Sequence, residues 1–167
     1  MTTNAPRSRK DLILAEHVVS AQEAARRIGS PTEDAVAWAC SKRKRDELFG
    51  VWSQTDQVFM HPNFQFGGKA THAQLKELLT VLRTRVGFDP LNADKGGWAR
   101  AYWLYQPDAR LSQQALAASD LDMRDPVAAV AILTRISDAP RTPAEVFLER
   151  PEVVIALVKE LAAQQPL

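Results

Sequence analysis

A single cysteine, Cys40, stands among 167 residues, which excludes an intramolecular disulfide and any zinc site built from several thiolates. Long apolar runs are missing too. No stretch approaches the roughly 18 consecutive apolar residues of a membrane span, and Met1 to Lys10 is polar and basic, without the apolar centre of a signal peptide. The expectation is a cytoplasmic protein with no membrane partner. Nor does charge of one sign dominate: 21 Lys and Arg stand against 20 Asp and Glu, a net charge of +1, so any affinity for nucleic acid has to come from local clustering. Residues 1–90 hold 13 cations against 10 carboxylates, residues 91–167 hold 8 against 10.

Chemistry-bearing motifs are also scarce. Gly67-Gly68 and Gly96-Gly97 do not follow a strand or precede a Lys-Ser or Lys-Thr, so they are not phosphate loops. There is no Gly-x-Ser-x-Gly elbow, and Cys40 has no evident His and acid companions. His17, His61 and His72 are scattered, without metal-ligand spacing, and Asp120, Asp122 and Asp125 lack the ligand spacing of a calcium loop and read as helix-capping residues. We therefore expect no catalytic residues, no metal and no cofactor.

What is present is a globular composition, 46% hydrophobic with 25% charged residues, and a run of helix signals. A short helix is expected over Lys10 to Val19. Ser20-Ala21-Gln22-Glu23 reads as a capping box opening a second helix that closes at Gly29; Ser30-Pro31-Thr32-Glu33 repeats the pattern and opens a third, running to about Arg45 and burying Val36, Ala39 and Cys40. Two helices joined by so short a turn form a helix-turn-helix unit. The segments Leu48 to Trp52 and Gln57 to Met60, separated by a polar turn, read as a β-hairpin placed like a wing.

Thr71 then caps an amphipathic helix whose stripe is Leu75, Leu78, Leu79, Leu82 and Val86, ending at Gly87; Asp89 to Gly97 is a loop. Further helices are expected near Trp98–Tyr105, Asp125–Ile136, Pro143–Leu148 and Glu152–Ala163, with Pro126, Pro143 and Pro151 at or just before helix starts. Asp125-Pro126-Val127-Ala128-Ala129-Val130 echoes Arg150-Pro151-Glu152-Val153-Val154-Ile155, as two helices of similar composition do without being a repeat. The fold class is thus mainly α: a winged helix-turn-helix-like unit with one β-hairpin over residues 1–68, followed by an α-helical domain over 69–167.

Two groups of residues stand out as binding candidates. Lys42-Arg43-Lys44-Arg45, at the end of the third helix, joins Arg26 and Arg27 of the second as a set of cations for DNA phosphates; the competing reading is a solvated helix end favoured by the macrodipole. Val154, Leu157, Val158 and Leu161 form an apolar stripe near the C-terminus, suited either to a partner's groove or to the chain's own core. Trp38, Trp52, Trp98 and Trp103, with Phe64 and Phe66, read as core rather than as a base-stacking platform.

The segment Ala101-Tyr102-Trp103-Leu104-Tyr105-Gln106-Pro107-Asp108, then Leu111, Ala115-Leu116 and Val127 to Leu133, resembles the toxin-binding domain of the Xre/MbcA/ParS antitoxins. Upstream, residues 20–45, the hairpin and Pro62-Asn63-Phe64-Gln65-Phe66 resemble an excisionase or MerR-type head. Leu111-Ser112-Gln113-Gln114 departs from the family's turn, and a second register sets its Thr-Pro helix at Thr142-Pro143-Ala144-Glu145, with Glu152 to Leu161 as the closing helix. The resemblance implies a homodimer that binds operator double-stranded DNA and neutralises a cognate toxin, often of the NAD-consuming RES type, with Trp103, Leu104, Pro107 and Leu111 added to the C-terminal stripe as partner-binding residues. The alternative is a protein-binding adaptor or immunity-like module that does not touch DNA.

Overall fold

Ser8 opens the first element: its hydroxyl accepts the Asp11 amide at 3.2 Å while the Asp11 carboxylate accepts the Ser8 amide at 3.1 Å, a capping box around α1 (Arg9–Glu16). The computed structural model describes residues 7–120, 125–134 and 138–165. The helix stops three residues earlier than expected. Val18–Val19 form instead a short strand, β1, because two β-branched residues next to His17 find an antiparallel partner in β3 (Val58–Pro62), with Val18 opposite Pro62 and Val19 opposite His61. β2 (Val51–Ser53) pairs on the other side of β3, giving a sheet ordered β1-β3-β2.

Between β1 and β2 lie α2 (Ala21–Arg27) and α3 (Ala35–Lys44). The Ser20 hydroxyl accepts the Glu23 amide, but the Glu23 carboxylate turns to Arg26 and Arg27 rather than back to Ser20, so the box is only half closed. Gly29 takes the left-handed conformation expected of it. The start of α3 is a correction. Asp34, not Ser30, is its cap, accepting the Ala37 amide at 2.9 Å, so Pro31 to Glu33 stay outside the helix and its register turns. Ala35 and Ala39 are buried, whereas Val36, expected in the core, is 64% exposed and Cys40 is partly buried.

The Pro62 to Phe66 segment ties this head to the rest of the chain. Phe64 is buried against Phe49, Tyr105 and Phe147, and the Gln65 side-chain amide acts like a strand partner for Phe49, accepting its N–H at 2.7 Å and donating to its carbonyl at 3.0 Å. Gly68 then passes so close to Leu148 that a Cβ would lie 2.2 Å from its carbonyl oxygen, at a φ of +76° that only glycine adopts easily.

α4 (His72–Leu82) carries a full capping box between Thr71 and Gln74 and buries Leu75, Leu78, Leu79 and Leu82. It ends at Leu82, leaving Val86 75% exposed rather than on the stripe. The loop that follows is organised by Asp94, whose carboxylate accepts the amides of Ala99 and Arg100 and the Arg100 Nε at 2.8 Å, opening α5 (Trp98–Leu104). Both members of this pair are buried. α6 (Gln113–Asp120) and α7 (Pro126–Leu133) follow; residues 121–124 and 135–137, where the acidic turn and the expected end of α7 fall, lie outside the described residues. Asp125 caps α7 through the Ala128 amide.

α8 (Pro143–Glu149) opens on a Thr142–Glu145 capping box, and α9 (Pro151–Ala163) lays Val154, Ile155, Leu157 and Val158 against the leucines of α4. One core therefore contains Phe49, Val51 and Phe64 from before residue 68 together with α4, α5, α8 and α9. The molecule is mainly helical with a small three-stranded antiparallel sheet, and none of the described helices is long and apolar enough to cross a membrane.

Candidate nucleic-acid and partner-binding surfaces

Of the six cations expected to face phosphate, four are held by two separate carboxylates. At the end of α2, Arg26 donates to both oxygens of Glu23 at 2.8 and 2.7 Å and Arg27 donates to the same carboxylate at 2.7 Å; these bonds hold the Glu23 pKa down at about 2. At the end of α3, Lys42 donates to Glu47 at 2.8 Å, with Arg45 and Lys76 at 3.5 and 3.7 Å from the same side chain. Lys44 is exposed and has no carboxylate partner among the described residues.

Arg43 behaves differently from its neighbours. Its guanidinium lies 3.8 Å above the Phe59 ring, and its stem crosses Gly50, where a Cβ would meet Arg43 Cδ at 2.8 Å. Burial without a described carboxylate in reach lowers its pKa. It is therefore a wall of the head rather than an outward contact.

Between α3 and the hairpin runs a groove of about 450 Å³ whose lining includes Val36, Ala39, Trp52, Val58, Phe59 and Met60. Glu33 and Asp34 stand at its rim and Asp56 in the hairpin turn, so acids rather than cations occupy the start of α3 and the turn. His61 also borders this groove. Its Nδ1 lies 2.9 Å from the Phe49 carbonyl, to which the neutral ring donates, its Nε2 is buried without a described partner, and burial lowers its pKa to about 4.

The residues expected to meet a partner are mostly inside. Leu104, Leu111, Val154, Leu157 and Val158 are all less than 8% exposed, and Leu161 is half-buried. The stripe on α9 is a correction: a helix that faces the α4 leucines cannot offer the same side chains to another protein without opening the core. Pro107 is exposed, and Trp103 is half-buried with the Arg85 guanidinium 5.5 Å from its ring. The four tryptophans are all partly buried, with Trp98 anchored by an indole N–H donated to the Trp52 carbonyl at 3.0 Å.

Three exposed apolar side chains share α7, where Val127, Val130 and Ile132 are 79%, 60% and 45% exposed. Their apolar character was legible, their exposure was not. The structure also joins residues that no motif connected. The Asp108 amide donates to the Arg141 carbonyl at 2.9 Å, so the turn after Pro107 lies beside the start of α8. Arg83, Lys95 and Arg100, from the end of α4, the following loop and α5, come together with Arg43 and Lys44 around one cleft. Only three-dimensional closure brings them together.

Among the described residues no group of three or more His, Cys, Asp or Glu is placed to hold a metal ion. No family model matches this chain, and neither curated proteins nor solved structures show a significant match to it.

Proposed function

We propose that this chain is an antitoxin-like regulator, with a winged helix-turn-helix head for operator DNA and a helical C-terminal part that binds and neutralises a partner toxin. The observation that carries the reading is the chain order α1-β1-α2-α3-β2-β3 with a sheet ordered β1-β3-β2, in which a helix pair leads into a hairpin whose second strand lies between the other two. α3 borders the hairpin through Arg43 over Phe59, the proximity that this reading asks of a recognition helix and its wing. The Asp108–Arg141 bridge supports the second register of the resemblance, with Thr142-Pro143 as its Thr-Pro helix and α9 as the closing helix. In that register α7 falls in sequence between Asp108 and Arg141, and its exposed Val127, Val130 and Ile132 are the surface we assign to the partner.

Ion pairs open to solvent contribute about 0–1 kcal/mol, and the Glu47 pairs with Lys42 and Arg45 are only partly buried, so our reading has a phosphate displace Glu47 from both. With Arg43 turned inward, three cations remain at the end of α3, Lys42, Lys44 and Arg45. Three phosphate contacts correspond to a log-log salt slope of about −2.7. Fluorescence anisotropy against the chain's own upstream DNA and a scrambled duplex, at two salt concentrations, tests this. Tighter, salt-sensitive binding to the upstream duplex is expected, flattened by changing those three residues to Gln. Equal or absent binding to both duplexes would overturn the DNA part.

One observation favours the second reading, a protein-binding adaptor. Glu33 and the cap Asp34 lead into α3, and exposed Val36 follows beside an apolar groove, a surface better matched to protein than to phosphate. Failure to bind either duplex is its expected result in the same titration.

A further inference from the structure

The cleft that gathers Arg43, Lys44, Arg83, Lys95 and Arg100 has a volume of about 350 Å³, within the roughly 300–1,000 Å³ of small-molecule sites. Asp46 is the only carboxylate among its lining residues, and it is held by Arg83 at 2.8 Å. Arg100 is matched by the buried Asp94, and the nearby Asp89 carboxylate accepts from the Leu91 amide and the Asn92 side chain. Arg43, Lys44 and Lys95 are left without a carboxylate partner among the described residues. A half-buried guanidinium is rarely left so, because removing its charge from water is costly unless an anion compensates.

The walls favour an anion further. Leu48, Phe49 and Leu79, all buried, form a low-dielectric side that focuses the field of the surrounding cations. Gly50 supplies the room in which the Arg43 stem lies, so the guanidinium is held at the wall rather than free in solvent. A phosphate monoester carries a charge of about −1.5 to −2 at neutral pH, which suits three unmatched cations better than a single carboxylate does.

We propose that this cleft is a binding site for a small phosphorylated molecule, its phosphate held by Arg43, Lys44 and Lys95. The proposal shares Lys44 with the DNA reading but does not need that reading to hold. A backbone phosphate on a duplex is the other source of the same chemistry, but the recessed, partly apolar cavity fits a free anion.

Inorganic pyrophosphate is the probe. Titrated into the full chain by calorimetry, it binds saturably with one site per chain, and it slows modification of Cys40, which lines the same cleft, by a thiol reagent. The exposed substitutions Lys44→Gln and Lys95→Gln, combined, weaken binding about tenfold or more and remove the protection, since each charge-assisted hydrogen bond lost is worth at least that factor. Lys69→Gln, outside the cleft, leaves both unchanged. Absence of saturable binding at millimolar pyrophosphate, or equal binding by the double variant, overturns the site. A duplex that protects Cys40 where pyrophosphate does not would assign these cations to DNA and overturn it equally.

Discussion

α7 and α9 each open on a proline and are rich in small and β-branched apolar side chains, yet one is largely bare and the other is core. α9 has a polar face, with Glu152, Lys159 and Glu160 in water and Lys159 paired to Glu77 at 2.5 Å, so its apolar face is directed against α4. α7 carries no charged residue from Pro126 to Leu133, and nothing in its composition picks an inner side. A helix apolar all round is normally buried. Here three of its large side chains meet solvent, and that contrast is the ground on which we propose α7 rather than α9 as the binding face.

The contrast can be broken most forcibly at α9. Leu157→Ala removes a side chain wedged against the α4 leucines and should cost about 2–5 kcal/mol, read as a lowered denaturant midpoint. A loss under about 0.5 kcal/mol would mean that α9, like α7, is peripheral.

Acid tests the same core from the side of the head. The His61 pKa is about 4, below the ordinary value of 6.5, so between those values the unfolded chain binds the extra proton. Stability contributed by neutral His61 is complete above about pH 6.5 and falls as pH drops toward 4, by an amount on the order of 3 kcal/mol. Denaturation at pH 7 and pH 5 with an NMR titration of the ring checks this; a ring titrating near 6.5 would contradict the burial.

Tyr105 gives a smaller effect of opposite sign. Its hydroxyl is buried without a described partner, while its ring stacks on His17 at 4.7 Å and meets Phe64 edge-on. Tyr105→Phe keeps the rings and removes the unmatched polar group, so the unfolding midpoint should hold or rise by up to about 1 kcal/mol. A loss of more than about 1 kcal/mol would reveal a partner for the hydroxyl. Smallest of all, Val127→Ser with Val130→Ser on α7 should change stability by less than about 0.5 kcal/mol while weakening capture of the partner we propose for that face. A large loss of stability would place α7 in the core.

Much of the scaffold was legible because it rests on local chemistry. Thr71 and Thr142 with their Gln74 and Glu145 partners, the prolines opening α7, α8 and α9, the Leu75 to Leu82 stripe and the hairpin all follow from short-range spacing. What escaped needed distant partners or a choice between equals. Val18–Val19 is a strand only because β3 lies alongside. Ser30-Pro31-Thr32-Glu33 has the pattern of a capping box, but Asp34 does the capping, and that shift turns Val36 outward. The α9 stripe has the pattern of a docking helix and of a core helix alike, and α4 decides between them. The cationic cleft draws on α3, α4, the loop after it and α5, so no window of sequence displays it.

Hydrogen exchange of the isolated full chain, read by mass spectrometry on peptides covering α7 and α9, tests the division between binding face and core most directly. The account predicts slow, globally limited exchange over Val154 to Val158 and fast exchange over Val127 to Ile132, slowed when the partner is added. Equal protection of the two helices in the isolated chain would contradict it.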